Sequence, residues 1–172
     1  MARARVSASS RKLSGLFPLL RLLGDGEFHS GRSLGLRLGA SRATIRNRVR
    51  AIERLGLRVL KVRGRGYRLA EPLDLIDADR LTERLRGASP AFALEIVDEC
   101  PSTNTALTER AQRGAPHALV LACEHQSAGR GRNGRSWSAP PRSQIALSIG
   151  VGAEGVPAEG WGCLPLLTGV AL

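Results

Sequence analysis

Lysine is almost missing from this chain. Of 26 basic residues only Lys12 and Lys61 are lysine, and none follows Lys61. A kinase-type glycine loop, which depends on a downstream lysine, is thereby excluded. Cysteine is scarce as well: Cys100, Cys123 and Cys163 are an odd, widely spaced set without metal-ligand spacing. They read as reduced thiols of a cytoplasmic protein, and no residue is assigned to a metal. No apolar run approaches the roughly 20 residues needed to span a bilayer. Residues 13–20 imitate a signal peptide, but Arg21 interrupts the apolar run and no small-x-small cleavage site follows, so export is not expected. Acidic residues are nearly absent from positions 1–70, which hold 3 Asp+Glu against 17 Lys+Arg, whereas the remainder holds 12 against 9. The whole positive excess therefore sits in the first part, and a polyanion partner is expected for that part alone.

What is present reads as two small domains, which 172 residues suffice to build. Residues 1–12, rich in Arg, Ser and Ala, suggest a disordered basic tail. Over residues 13–70 three helices are expected. The first begins near Pro18, which suits a first turn, carries Leu19, Leu20 and Leu23, and stops at Gly24 to Gly26. Ser30 caps a short second helix that Gly39 breaks, and Ser41 caps a third. In the third, Ile45, Val49, Ile52 and Leu55 share one face, while Arg46, Asn47, Arg50 and Arg54 lie opposite. Two short helices meeting at a glycine, the second with a basic outer face, form a helix-turn-helix; the plainer alternative is an amphipathic helix with a solvated basic face. Arginine matches guanine and asparagine matches adenine, so Arg42, Arg46 and Asn47 are candidate base readers, with Thr44 beside them. Arg50 and Arg54 suit phosphates. Residues 57–62 and 67–69 then alternate as a β-hairpin, a wing whose basic tip holds Arg63 and Arg65.

Glu71, Pro72 and Asp74 mark a boundary where the charge changes sign, and residues 71–89 read as a linker with a helix carrying Leu81 and Leu85. Within residues 90–172, strands are expected at 92–97, 118–123 and 145–151. A helix capped by Ser102 or Thr103 should run to Arg113 and stop at Gly114. The fold class is α+β, a winged helix-turn-helix followed by part of an α/β domain with a mixed sheet.

Between the last two strands Gly129, Gly131 and Gly134 alternate with Arg130, Arg132 and Arg135, and Trp137 closes the run. Glycine allows backbone N–H groups to turn inward around an anion, arginine adds a two-pronged donor, and tryptophan offers a stacking face. The spacing also fits the dinucleotide fingerprint, but that motif must open a helix, and Pro140 and Pro141 deny one. A solvated basic loop or an RNA-binding arginine-glycine segment remains open from composition.

The run from Gln126 through Trp137 resembles the biotin-binding loop of biotin–protein ligases, and Ser102, Thr103 and Asn104 resemble that family's Ser-Thr-Asn motif. Gly26 to Gly31 and Gly64 to Tyr67 are similar to the DNA-binding domain of its bifunctional members, which also act as biotin operon repressors. The resemblance implies a reaction in which biotin and ATP, with Mg2+, give biotinyl-5′-AMP, and biotin then passes to a lysine of a carboxyl-carrier protein. It implies that Ser102, Thr103, Asn104 and Gln126 contact biotin or the adenylate. Arg130 and Arg132 would act on the carboxylate and phosphate region, and Gly129 and Gly131 would let the ligand approach the backbone. Arg135 would support a closed loop, and Trp137 would pack on adenine. It also implies operator DNA as a partner, with homodimerisation in the adenylate-bound state. His125 and the Pro141 to Gln144 stretch depart from the family pattern, and its Lys-Trp-Pro-Asn-Asp segment is absent from these residues. A fragment unable to ligate alone is therefore expected. A winged-helix regulator without enzymatic activity is the alternative.

Overall fold

The structure is a computed structural model that describes residues 5–7, 15–88, 91–131, 133, 135–139, 141 and 143–152. Local signals build the first module. Ser30 accepts the Ser33 N–H at 3.0 Å and starts α2 (Gly31–Arg37), and Ser41 accepts the Thr44 N–H at 3.1 Å and starts α3 (Arg42–Arg54). Each side-chain oxygen satisfies a donor that the first helical turn cannot. Gly39 takes φ +56° between the two helices. Helix α1 (Leu16–Leu23) starts two residues before Pro18, which still falls in the first turn, where no intrahelical N–H is needed.

These helices bury Phe17, Leu20, Leu23, Leu34, Ile45, Val49 and Ile52 against the wing strands β2 (Val59–Val62) and β3 (Gly66–Leu69). At about 1.5–3 kcal/mol for each fully buried aliphatic side chain, this cluster is the main source of stability for the module. The antiparallel wing is tied to the helices by a bridge in which His29 and Tyr67 exchange both backbone hydrogen bonds, at 2.8 and 2.9 Å. Gly66 makes that bridge possible. It sits at φ +107°, and a Cβ there would lie 2.1 Å from the His29 carbonyl oxygen.

The second module is a four-stranded mixed sheet. Strand β1 (Arg5–Ser7) pairs parallel with β4 (Ala93–Cys100), β4 parallel with β5 (Leu119–Gln126), and β5 antiparallel with β8 (Ala146–Gly150). Helix α5 (Thr103–Ala111) makes the crossover between β4 and β5 and packs Ala106 and Leu107 on Val97, Leu121 and Cys123. The opposite face carries Leu94, Ile96 and Ala122, covered by Ile76 and by Ala78 and Leu81 of α4 (Ala78–Arg84). The fold is α+β, as the sequence suggests.

Two expectations need correction. Arg5–Ser7, assigned to a disordered tail, form a strand, because the outer edge of β4 offers unpaired backbone groups to any nearby extended segment. Strands β4 and β5 each run three residues beyond their expected ends, through Cys100 and Gln126, because their polar ends remain paired with each other. Leu81 is partly buried on the sheet core, and Leu85, the C-cap residue of α4, is 36% exposed.

The linker is packed rather than slack. The Leu73 N–H donates to the Gly24 carbonyl at 3.1 Å, and Leu73 and Leu75 join the winged core while Ile76 joins the sheet core. Arg21 of α1 reaches Asp98 of β4, so the two modules also meet through an ion pair.

Candidate functional site

The Ser-Thr-Asn motif and Gln126 come together although 23 positions separate Thr103 from Gln126. Strands β4 and β5 end side by side, with Cys100 opposite Gln126, and α5 begins immediately afterwards. The Gln126 side-chain oxygen accepts the Thr103 N–H at 2.8 Å and the Thr103 hydroxyl at 3.3 Å, and the Ser148 hydroxyl donates to Thr103 Oγ1 at 2.9 Å. Ser102 occupies the N-cap position but makes no side-chain cap bond, and Gln126 accepts the first amide of the helix, that of Thr103. Ser102 and Thr103 are buried, and Asn104 is exposed.

The arginine-glycine run is a small hairpin. Strand β6 (Gly129–Arg130) pairs antiparallel with β7 (Ser136–Trp137), and the Gly131 N–H donates to the Arg135 carbonyl at 2.7 Å. Gly129 is needed inside the hairpin, since a Cβ there would lie 2.6 Å from the Trp137 carbonyl oxygen and 3.4 Å from the Gln126 amide nitrogen. That geometry seats the hairpin directly beside Gln126. Asn133 turns the tip at φ +58°. Arg130 and Arg135 are exposed, and neither forms a salt bridge among the described residues. Trp137 is 54% exposed and donates its indole N–H to Gln144. Arg132 lies outside the described residues.

Two ionisable side chains precede Cys100 and Gln126 by one position in the paired strands. Glu99 and His125 are register partners on β4 and β5, and each has a buried polar atom without a hydrogen-bond partner among the described residues, Oε2 and Nδ1. Burial pushes the Glu99 carboxyl above its usual value, partly offset by the His125 charge and a Ser127 hydrogen bond. Neither Glu99 nor Ser148 carries a local sequence signal; only the strand pairing reveals them.

The second surface is basic. Arg42, Arg46, Asn47, Arg50 and Arg54 all project from α3 into solvent, opposite buried Ile45, Val49 and Ile52. A cleft lined by Arg42, Arg32, Lys61 and Arg63 joins the start of α3 to the wing turn. Arg32 adds to the cationic set read from the sequence, whereas Lys61 is paired with Glu53 at 2.9 Å. Thr44 is half-buried, and its hydroxyl hydrogen-bonds the Ser41 hydroxyl at 2.9 Å, so it is engaged in the cap. Arg65 stacks over Phe28 with its guanidinium carbon 4.3 Å from the ring centroid, and Arg68 lies on the same ring at 5.0 Å. These contacts hold the wing against the loop before α2 and are worth about 0.5–1 kcal/mol each where exposed.

A helix-turn-helix with a wing, packed on a sheet that carries an arginine-glycine hairpin, defines a two-module protein with a basic face on one module and a hydrogen-bonded polar node on the other. The family model described as "HTH domain" matches residues 16–68. The bifunctional ligase/repressor BirA of Salmonella typhimurium is 41% identical over 154 residues, covering 90% of this chain and 46% of that protein. The biotin–[acetyl-CoA-carboxylase] ligase of Mycobacterium tuberculosis is 45% identical over 107 residues, 61% of this chain and 39% of that protein. A solved biotin protein ligase of Leishmania major in complex with biotin is 32% identical, with a TM-score of 0.39 over 45% of this chain and 31% of that one. The chain is thus similar to a bifunctional ligase/repressor over 90% of its own length, and it spans about half the length of the curated relatives it matches. Among the described residues no helix is long and apolar enough to cross a membrane.

Proposed function

We propose that this chain supplies the DNA-binding module and the first part of the ligand site of a biotin–protein ligase that also represses transcription. The observation that carries the reading is the node at which Thr103, Gln126 and Ser148 meet beside the Gly129–Trp137 hairpin. It unites two motifs that sequence order keeps apart. In this reading Thr103 and Gln126 hydrogen-bond biotin, with Ser102 and Asn104 completing the motif at the start of α5.

Joining a carboxylate to an α-phosphate brings two anions together, so groups that neutralise them lower the barrier most. Arg130 and Arg132 are assigned that role. Gly129 and Gly131 let the hairpin backbone come close to the ligand, Arg135 braces the hairpin turn, and Trp137 stacks on adenine once it leaves Gln144. Mg2+ would add positive charge to the ATP phosphates, and no residue of this chain is assigned to hold it. The activated biotin then goes to a lysine of a carboxyl-carrier protein.

On the other module, Arg42, Arg46 and Asn47 read bases, with Thr44 fixing the start of their helix. Arg50, Arg54, Arg63 and Arg65 hold operator phosphates. Adenylate-dependent homodimerisation of the whole protein would place two such modules on a two-part operator. Calorimetric titration of biotinyl-5′-AMP tests the ligand half, with binding expected in the wild type. A wild-type protein that binds neither biotin nor the adenylate, yet binds DNA, would favour a purely regulatory winged-helix protein.

A further inference from the structure

The contact between the modules falls on the two strands that lead into the ligand motifs. Arg21 Nη2 of α1 donates to Asp98 Oδ1 of β4 at 2.6 Å. Glu124 of β5 accepts the backbone N–H of Ile76 in the linker, and the Arg21 charge also acts on it. Asp98 and Glu124 are neighbours across the sheet, bracketed by the register pairs Val97 with Cys123 and Glu99 with His125. Two carboxylates facing each other on adjacent strands repel. Burial raises the Glu124 carboxyl above its usual value, the Ile76 N–H and Arg21 lower it, and Asp98 raises it further. Gln126 follows Glu124 by two positions, and Ser102 follows Asp98 by four.

We propose that Arg21 is a positioning residue for the ligand node: a cation of the DNA-binding module that neutralises Asp98 and Glu124, holding the ends of β4 and β5 in register. What the node binds rests on the ligase reading, but the mechanical claim does not. Strand ends held by this clasp present Thr103 and Gln126 in one arrangement, and α1 is tied to the same arrangement. The orientation of the winged module and the geometry of the ligand node therefore change together.

Amide hydrogen exchange on the full chain, followed by NMR, tests this without ligand. In Arg21→Gln the Ile76 amide, which donates to Glu124, is expected to exchange at least tenfold faster. The Thr103 amide, which donates to Gln126, should exchange at least threefold faster. The amides of Leu20 and Ile52 in the winged core should stay within twofold. The exchanged pair Arg21→Asp with Asp98→Arg should slow both affected amides again. Unchanged exchange at Thr103 in Arg21→Gln overturns the proposal. So does equal acceleration of all four amides, which would mean general destabilisation, or failure of the exchanged pair to restore protection. Biotin enters none of these measurements, so loss of the ligase reading would show only in a separate titration.

Discussion

Replacing Gln126 by leucine removes one acceptor and leaves the surrounding shape nearly intact. The Gln126 oxygen holds the Thr103 N–H at 2.8 Å and, more weakly, its hydroxyl at 3.3 Å, while that hydroxyl keeps its bond from Ser148. The loss is therefore one good hydrogen bond that leaves a buried amide unpaired, about 1–3 kcal/mol. Against it stands the extra apolar burial of leucine at a half-buried position, under about 1 kcal/mol. The balance is a destabilisation of about 1–2 kcal/mol, and with a urea dependence of about 1–3 kcal/mol per molar the midpoint should fall by about 0.5–1 M. Urea titration followed by far-ultraviolet circular dichroism measures it. Thr103→Val keeps the amide bond and should cost less than Gln126→Leu. A Gln126→Leu midpoint within about 0.2 M of wild type, or a larger loss in Thr103→Val, would refute the view that Gln126 holds the start of α5.

Gly66→Ala should be the most damaging small substitution in the winged module, because a Cβ meets the His29 carbonyl oxygen at 2.1 Å and φ is +107°. A loss above about 2 kcal/mol in thermal unfolding is expected, and a near-wild-type melting temperature would show that the wing is not locked by that bridge. Glu99→Gln should raise the urea midpoint at pH 7. Burial lifts the folded-state pKa of Glu99, so its contribution is most favourable below the unfolded value and is lost as pH rises through the folded one. The advantage of glutamine should shrink as pH falls through the folded value and be gone below about pH 4, where the unfolded carboxyl also binds its proton. For DNA, Arg46→Ala should relax sequence preference, whereas Arg63→Ala should weaken all sequences alike and reduce the salt slope by about 1. Competition binding on specific and random duplexes separates the two, and equal effects would refute the division of labour.

The winged module was legible because its signals are local. Ser30, Ser41 and Gly39 act within one helical turn of their own positions, and the spacing of Ile45, Val49 and Ile52 needs no partner to be recognised. The strand ends were not legible for the opposite reason. Asp98, Glu99, Glu124 and His125 look like connecting residues, yet they are strand residues, and Asp98 is answered by Arg21, which is 77 positions away. Glu124 is answered by the Ile76 amide across 48 positions. The Phe28 ring under Arg65 is likewise brought there only by the fold. At the ligand node, Gln126, Thr103 and Arg130 were picked out by their motifs, but Ser148 is a lone hydroxyl in an apolar strand. The role of Gly129 inside the hairpin depends on a Trp137 carbonyl that only pairing places there.

In the ligase reading, the node divides neutral from anionic recognition. The Thr103 amide, one of the free donors at the start of α5, is already occupied by Gln126. Neutralisation of ligand charge is then assigned mainly to guanidinium groups, and Arg130, next to Gly129 in the hairpin, is exposed, with no salt bridge among the described residues. If biotin and its adenylate are the ligands, Arg130→Ala should weaken biotinyl-5′-AMP at least tenfold, which is about 1.4 kcal/mol and at the low end for a hydrogen bond to a charged group. Biotinamide has the same ring system without the carboxylate, and its affinity should change less than twofold. Calorimetry with both ligands on both proteins reads the difference directly. Equal losses for the charged and the uncharged ligand would mean that Arg130 shapes the hairpin rather than meeting an anion. The charge-quenching role would then have to pass to another cation of the hairpin.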